Sequence, residues 1–380
     1  MELPTYFSDF LSDIRLTDTQ VEDLKAGHTT LRRRLEADAD LAALLVATFL
    51  QGSYRRATAV RPVGEGSKAD VDVIVVTTID HTTTTPEAAL DRFVPFLEKH
   101  YAGKWKKQGR SLNISMSSVS LDVVITSAPL EVDKEALRSE AVLSADTLED
   151  VGDWRFVKSW VGTDRRGLDG SAALMARASR EQEYQVHPLL IPDRDARLWR
   201  ETHPLAQIHW SQLKNARCNS HYVNVVKALK WWRVQDAPGR YPKSYPLEHL
   251  IGANCPDGID GVATGVVDTL ESIRDRYSAE VGGGRAPVLM DHGVGHNVLL
   301  RITAEEFAAF HARVKDAAVI ARAALGATDP GESAREWRRL FGTRFPEGPD
   351  RGRGAPAPGG PTGGFSPRSS GTTLAGGRFA

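Results

Sequence analysis

Cysteines and long apolar segments are scarce in this sequence. Two of its 380 residues are cysteines, Cys218 and Cys255, which are too few for a disulfide framework. They lie in no CxxC motif and have no paired histidines at zinc-ligand spacing. The first residues lack the basic region and cleavage site of a signal peptide, and no apolar run is long enough to span a bilayer. We therefore expect a cytoplasmic protein that does not cross a membrane.

An excess of charge of one sign is also absent. The chain has 48 basic and 49 acidic residues, which gives a formal net charge of -1. Domains that bind nucleic acid through their overall field are usually strongly basic. We therefore expect no DNA or RNA template, and any phosphate-binding site must be local.

Residues 51–76 (QGSYRRATAVRPVGEGSKADVDVIVV) carry the strongest functional signal. The pattern predicts a strand end, a Gly52-Ser53 turn, a basic loop and a second strand that opens with two aspartates. Side chains two apart on a strand share a face, so Asp70 and Asp72 converge on one point. Such carboxylates repel each other unless a cation lies between them, and Mg²⁺ binds one or two carboxylates together with substrate phosphates. The turn offers a phosphate close backbone approach and a hydroxyl donor.

A third carboxylate follows in residues 119–125 (VSLDVVI), where Asp122 is the only charge. A lone buried carboxylate in a strand is costly without a partner or a metal, so a third ligand from a neighbouring strand is the simplest explanation. Asp70 and Asp72 alone could equally be solvated carboxylates at a strand entrance. The Gly-Ser turn, the Asp-x-Asp motif and the later strand aspartate together are typical of the polymerase-β-like nucleotidyltransferase fold.

The domain organisation follows from a change in periodicity along the chain. We expect an α+β protein in which residues 1–198 form a nucleotidyltransferase lobe with a mixed sheet and an N-terminal helix, and residues 199–345 form a mainly helical lobe. Capping boxes at Thr17 and Thr303 predict the starts of two long helices. Residues 346–380 are rich in Gly, Pro and Ser, which predicts a disordered tail.

Two polar segments allow more than one interpretation. Lys107 and Arg110 in a basic loop either reach substrate phosphate or belong to a solvated hairpin approach. His292 and His296 have metal-ligand chemistry, but the glycines between them favour a loop or a substrate contact. Two further residues of that loop have no assigned role: Asp291 and Asn297.

Five segments in this order resemble the bacterial CD-NTases, cyclic-oligonucleotide synthases related to oligoadenylate synthase and the animal cyclic GMP-AMP synthase. The segments are GSYRRATAVRP, ADVDVIVV, LDVVIT, VVKALKWWR and KSYPLEHL. Within the family the chain is most similar to clade D, through THPLAQIHW and YPLEHLIG. The resemblance implies a polymerase-β-like lobe followed by an oligoadenylate-synthase-like helical lobe.

The resemblance also implies roles for single residues. The metal-binding triad, which would hold two Mg²⁺ ions or Mn²⁺ in their place, is Asp70, Asp72 and Asp122. The residues implied to contact nucleotide are Gln51, Ser53, Lys230, Ser244 and Tyr245. Gln51 and Ser53 would touch donor phosphates, Lys230 and Ser244 the triphosphate, and Tyr245 would stack on a base. Without the resemblance, Lys230 would be interpreted as a snorkelling surface lysine.

The activity implied by the resemblance is metal-dependent nucleotidyl transfer, repeated until a ring closes. Clade D favours a 3′,3′-linked cyclic trinucleotide made from ATP and GTP, which would act on an operon-encoded effector in anti-phage signalling. Two alternatives stay open: a nucleotidyltransferase that makes a linear product or tails RNA, and a nucleotide-sensing interaction protein without catalysis.

The last residues, LAGGRFA, form a slim segment after a Gly- and Pro-rich stretch. Such a segment is either an end of no consequence or a tail that threads a partner's active site. Some CD-NTases are conjugated to targets through their C-terminus by an enzyme resembling ubiquitin-activating and ubiquitin-conjugating enzymes. The resemblance therefore implies that the Ala380 carboxylate is the point of attachment.

Overall fold

A mixed five-stranded sheet positions the carboxylates predicted from the sequence. The computed structural model describes residues 1–64, 66–135, 137–138, 187–236 and 241–349. The strands are β1 (Leu45–Gln51), β2 (Ala69–Thr77), β3 (Trp105–Lys107), β4 (Leu112–Ser115) and β5 (Val119–Thr126), in the order β1-β2-β5-β4-β3. The central pair, β2 and β5, is parallel, and the other neighbours are antiparallel. The mixed sheet predicted from the sequence is confirmed.

Apolar residues cover both faces of this sheet, which explains the unbroken β-branched run in β2. Val73 and Val75 pack with Leu31 of the first long helix. Ile74 and Val76 face the other way, into a smaller cluster that contains Phe49. Strands buried on both faces lose the polar alternation of a half-exposed strand.

The helices around the sheet include the first long helix predicted from the sequence. They are α2 (Asp18–Ala37), α3 (Ala39–Ala42), α4 (Gly52–Arg55), α5 (Pro86–Asp91) and α6 (Val94–Tyr101). The capping box at the start of α2 is confirmed, because the Thr17 side chain accepts from the Gln20 backbone N–H and the Gln20 side chain accepts in return.

A hairpin that the sequence analysis did not predict follows residue 187. Its strands are β6 (Leu189–Asp193) and β7 (Leu198–Thr202). The apolar residues of β6 are consecutive and are followed by Pro192, so the alternation that identifies a strand is weak. The predicted boundary at residues 198 and 199 falls inside β7.

The remaining helices form a second apolar core. They are α7 (Pro204–Arg217), α8 (Tyr222–Asp236), α9 (Ser244–Asn254), α10 (Val262–Arg276), α11 (Ser278–Gly282), α12 (Ala304–Gly326) and α13 (Pro330–Phe341). Helix α1 (Pro4–Ile14) also packs in this core, where the Phe10 ring stacks on Phe341 at 4.5 Å between centroids. Residues Met1–Gly348 form one compact unit, so the division into lobes at residue 198 stays a prediction.

Candidate active site

The sheet brings the three predicted carboxylates together. Asp70 and Asp72 lie on β2, and the parallel register places Asp72 directly beside Asp122 of β5. One carboxylate oxygen from each residue lies within 4.8 Å of the others. Asp70 is exposed and the other two are half-buried, so the cluster faces a space that substrate can enter. The side-chain period of two and the parallel pairing of β2 with β5 produce this convergence.

In the triad, burial and the repulsion between carboxylates outweigh the effect of nearby cations on the pKa values. Burial, followed by the charges of Asp70 and Asp122, raises the pKa of Asp72 to about 7. Burial also raises the pKa of Asp70, although Lys230 acts against it. For Asp122, burial raises the pKa more than a 2.8 Å hydrogen bond from Asn113 lowers it. Three converging oxygen ligands whose charges repel fit a hard divalent cation.

Gly52, the first residue of α4, fits closely against the triad. Gly52 has φ +80°, a left-handed conformation that glycine adopts without strain. A Cβ atom at this position would overlap the Asp72 carboxylate. Gln51, the last residue of β1, lies opposite Asp72 in the antiparallel register. The end of β1 and residue 52 therefore pack against Asp72, and no space is left for a side chain at residue 52.

A cavity of about 390 Å³ opens beside Asp70. It brings together four residues named from the sequence: Ser53, Asp70, Lys230 and Ser244. Three further cations line the same cavity: Arg61, Lys68 and Arg233. Hydroxyls and cations around a cavity next to a metal-type carboxylate cluster are the chemistry expected for a nucleoside triphosphate.

Arg233 is a cavity residue that the sequence analysis missed. It lies three residues after Lys230 on α8, so both side chains project from one face of the helix. The residue is buried, and its Nε has no hydrogen-bond partner among the described residues. Its position three residues from a predicted phosphate ligand was the signal that could have found it.

Lys230 is buried and already has a partner. Its Nζ donates to Glu248 Oε1 at 2.9 Å, and Glu248 also accepts from Arg56 at 3.1 Å and from Thr58 at 3.0 Å. Burial alone would raise the pKa of Glu248, but Arg56 and Lys230 outweigh it and hold the pKa at about 2. Glu248 and Arg56 were not predicted as site residues from the sequence, although Glu248 interrupts the apolar residues of α9.

Gln51 and Tyr245 lie outside the lining of this cavity but are connected to each other. Gln51 Nε2 donates to Gln207 Oε1 at 3.1 Å, and Gln207 Nε2 donates to the Tyr245 hydroxyl at 2.5 Å. The structure thus links the end of β1 to α9 through a residue that the sequence analysis did not name.

The basic loop has a structural explanation. Lys107 ends β3 and forms ion pairs with Glu87 and Asp91 of α5. Arg110 donates to Asp193 of β6 at 2.8 Å. These contacts tie the hairpin to its neighbours and favour the structural interpretation of both cations over a phosphate contact.

The chain matches known proteins along most of its length. A family model for the Second Messenger Oligonucleotide or Dinucleotide Synthetase domain matches residues 1–128. A relative from Enterobacter hormaechei subsp. hoffmannii, named cyclic AMP-AMP-GMP synthase, is 47% identical over 94% of this chain and 97% of its own. The chain belongs to the bacterial CD-NTases. It is therefore a nucleotidyltransferase that makes a cyclic oligonucleotide.

Further proteins match the chain at lower identity, one by sequence and one by structure. A relative from Acinetobacter sp., named cyclic AMP-AMP-AMP synthase, is 31% identical over 90% of this chain and 84% of its own. The structure of the Bradyrhizobium diazoefficiens CD-NTase CdnG in complex with GTP superposes with a TM-score of 0.62 at 13% identity, over 90% of this chain and 96% of that chain. This likeness confirms the fold expected from the sequence. Among the described residues, no helix is long and apolar enough to cross a membrane.

Proposed function

We propose that this CD-NTase joins two molecules of ATP and one of GTP into a 3′,3′-linked cyclic AMP-AMP-GMP. The product follows the name of the Enterobacter relative, which shares 47% of aligned residues with this chain. The Acinetobacter relative, whose name gives an all-adenine product, shares 31%. The higher identity supports the mixed product.

The proposed catalytic role of the three carboxylates rests on one observation. Three carboxylates converge within 4.8 Å beside a cavity that is lined by cations and hydroxyls. A structural role for such a cluster is disfavoured, because uncompensated like charges cost stability.

Asp70, Asp72 and Asp122 are the residues that would hold Mg²⁺, or Mn²⁺ in its place. Two such ions supply charge stabilisation at the reacting phosphate and lower the pKa of the attacking hydroxyl. The sites are proposed from the donor set, since three hard oxygen ligands suit either ion.

The side chains of the cavity bind and orient the donor nucleotide. Ser53 and Ser244 offer hydroxyl donors to its phosphates. Lys230 uses one of its three N–H donors for Glu248, which leaves two for the triphosphate. Gln51 supports the same turn, and Tyr245 offers its ring to the base.

Each transfer forms one bond and breaks one. The ribose hydroxyl oxygen of one nucleotide bonds to the α-phosphorus of the next, and the bond from that phosphorus to pyrophosphate breaks. Asp122 accepts the hydroxyl proton. Three such transfers consume two ATP and one GTP, release three pyrophosphates and close the ring.

The test is mass spectrometry of the product formed from ATP, GTP and Mg²⁺ by the purified protein. We expect the mass of a cyclic trinucleotide with two adenines and one guanine, and a loss of product with EDTA. The double variant Asp70→Asn with Asp72→Asn should make no product and should melt at a slightly higher temperature, because like charges are removed.

Other outcomes would support the alternatives. A linear product or extension of added RNA would indicate a tailing enzyme. Nucleotide binding without pyrophosphate release would indicate a sensing protein. Synthesis by the double variant at the wild-type rate would exclude the triad as the metal site.

The proposed partners follow from membership of the family. The product would bind an operon-encoded effector in cytoplasmic anti-phage signalling. We further propose that an enzyme resembling ubiquitin-activating and ubiquitin-conjugating enzymes attaches the Ala380 carboxylate to a target. Ala380 and the recognition residues proposed beside it, Arg378 and Phe379, lie outside the described residues.

A further inference from the structure

The loop between α11 and α12 contains a buried carboxylate that the mechanism does not use. Asp291 is 8% exposed. Its Oδ1 accepts from the backbone N–H of Gly293 at 2.8 Å and of Val294 at 3.3 Å. Its own N–H donates to the carbonyl of His296 at 2.9 Å. The loop therefore fixes the position of this carboxylate.

The other carboxylate oxygen of Asp291 faces the helical core. Oδ2 accepts a short hydrogen bond from the Tyr245 hydroxyl, and Gln207 Nε2 lies 3.4 Å away. Gln207 also donates to the Tyr245 hydroxyl and accepts from Gln51. Each donor and acceptor in this network has a consistent direction. The Tyr245 hydroxyl is consequently held from both sides.

The ring of Tyr245 is also confined. Its centroid lies 4.4 Å from that of His249, and the Arg56 guanidinium lies 5.9 Å from it. Behind His249, the ring of His292 stacks at 4.2 Å with an interplanar angle of 11°, and Trp210 stacks on His292 at 3.5 Å. The tyrosine ring meets the His249 ring at an interplanar angle of 58°, and His249, His292 and Trp210 form a stack of three rings behind it.

A stacking surface binds a base more tightly when its plane is fixed before the base arrives. The second side-chain torsion of tyrosine is otherwise broad, and ordering a side chain on binding costs free energy. An anchored hydroxyl removes part of that cost. The carboxylate that anchors it thus contributes to affinity without touching the nucleotide.

We propose that Asp291 is a positioning residue that orients Tyr245 for base recognition. The inference rests on the proposed stacking role of Tyr245. Asn297 already anchors this loop, because its Oδ1 accepts from the backbone N–H of Leu289 at 2.9 Å and of Leu299 at 3.0 Å. Asp291 is therefore not needed for that role alone. Asn297 has no hydrogen bond to Tyr245 among the described residues, which makes it a matched control.

The experiment measures binding of an ATP analogue with a methylene group between the α and β phosphates, and of inorganic tripolyphosphate, in the presence of Mg²⁺. We expect Asp291→Asn and Tyr245→Phe each to weaken analogue binding about three- to tenfold, a fraction of the stacking energy, and to leave tripolyphosphate binding unchanged. The double variant should bind like Tyr245→Phe, because both changes remove one interaction. Asn297→Ala should leave analogue affinity unchanged.

Steady-state kinetics give a second readout. Asp291→Asn should raise KM for ATP and leave kcat within about twofold, as for a lost binding interaction. If Asp291→Asn does not fold, Tyr245→Phe tests the same hydrogen bond from its other end.

Three results would overturn the inference: unchanged analogue affinity in the single variants, additive losses in the double variant, or an equal loss in Asn297→Ala. Tyr245→Ala separates this failure from that of the proposed function. If Tyr245→Ala weakens analogue binding and Asp291→Asn does not, only the role of Asp291 is wrong. If Tyr245→Ala has no effect, the proposed base site is wrong and the inference with it.

Discussion

At the scale of single residues, the properties of the site arise from crowding rather than from unusual chemistry. Asp72 lies between two other carboxylates and is partly removed from water, so its negative charge is disfavoured. Because the pKa of Asp72 is about 7, protons would compete with a divalent cation for its carboxylate near neutral pH.

The raised pKa of Asp72 predicts how the metal-free protein responds to pH. The ordinary pKa of an aspartate is 3.8, so between pH 4 and pH 7 the folded state binds more protons at Asp72 than the unfolded state does. Its contribution to stability is therefore present at low pH and is lost as pH rises through 7. We expect the Tm in EDTA to fall by a few degrees between pH 5 and about pH 7.5.

The control for this prediction is Asp72→Asn, which cannot titrate. The difference in Tm between wild type and variant should change over that pH range in EDTA, and added Mg²⁺ should raise the Tm of the wild type more than that of the variant. A difference that stays constant with pH would show that Asp72 titrates normally.

Gly52 tests how closely the turn fits the triad. A Cβ there overlaps the Asp72 carboxylate, so Gly52→Ala should displace that carboxylate and reduce the rate of synthesis by about 100-fold. Gly103→Ala is the matched control, because Gly103 also has positive φ, at +71°, and a Cβ there meets nothing within 4 Å. Both variants should lose about 1 kcal/mol of stability from backbone strain. Equal activity of the two would contradict the close fit of the turn to Asp72.

At the scale of elements, two helices contribute site residues that do not come from the sheet. Helix α8 carries Lys230 and Arg233 on one face, and α9 carries Ser244, Tyr245 and Glu248. Glu248 joins these helices to the segment after α4, because it accepts from Lys230 and from Arg56.

The buried ion pairs of Glu248 predict a large effect of removing its charge. Glu248→Gln leaves two buried cations without compensation and should lower the free energy of unfolding by about 3–5 kcal/mol. Glu271→Gln on α10 is the control, because its partner Arg322 is largely exposed and such pairs contribute about 0–1 kcal/mol. Chemical denaturation of both variants measures the difference, and similar losses would contradict the role of Glu248 as a buried link.

At the scale of the whole molecule, the proposed catalytic carboxylates and the proposed base site lie beside two different apolar cores. The sheet core holds Val71 and Val73 beside the triad, whereas the helical core holds Leu247 beside Tyr245. The polar connections that join them include the ion pair of Arg56 with Glu248 and the hydrogen bonds through Gln207. Polar connections suit this position because they fix geometry without a large apolar interface.

The C-terminal segment gives a prediction for the whole chain. Deletion of residues 376–380 should leave the rate of synthesis by the purified protein near that of the full chain, since the triad and the cavity lining lie within residues 16–244. Conjugation by a partner enzyme should be lost. Conjugates formed with the truncated protein would show that Ala380 is not the attachment point.

The sequence by itself determined the local structure. Alternation and β-branched runs located β2 and β5, and the capping boxes located α2 and α12. Strand β3 lies in the segment that was predicted to be a basic loop. The Asp-x-Asp spacing determined that Asp70 and Asp72 share a face, because the period of a strand is two residues. Membership of the CD-NTases could also be predicted, since separated motifs occur in one order.

Only the tertiary structure decided which distant residues meet. The pairing of β2 with β5 is parallel and crosses more than 40 residues, so no local pattern shows that Asp72 lies beside Asp122. The partners of Lys230 and Tyr245 come from other elements, and packing of α1 into the helical core is equally non-local. Buried polar groups must find partners wherever the folded chain supplies them, and that supply depends on topology rather than on spacing along the sequence.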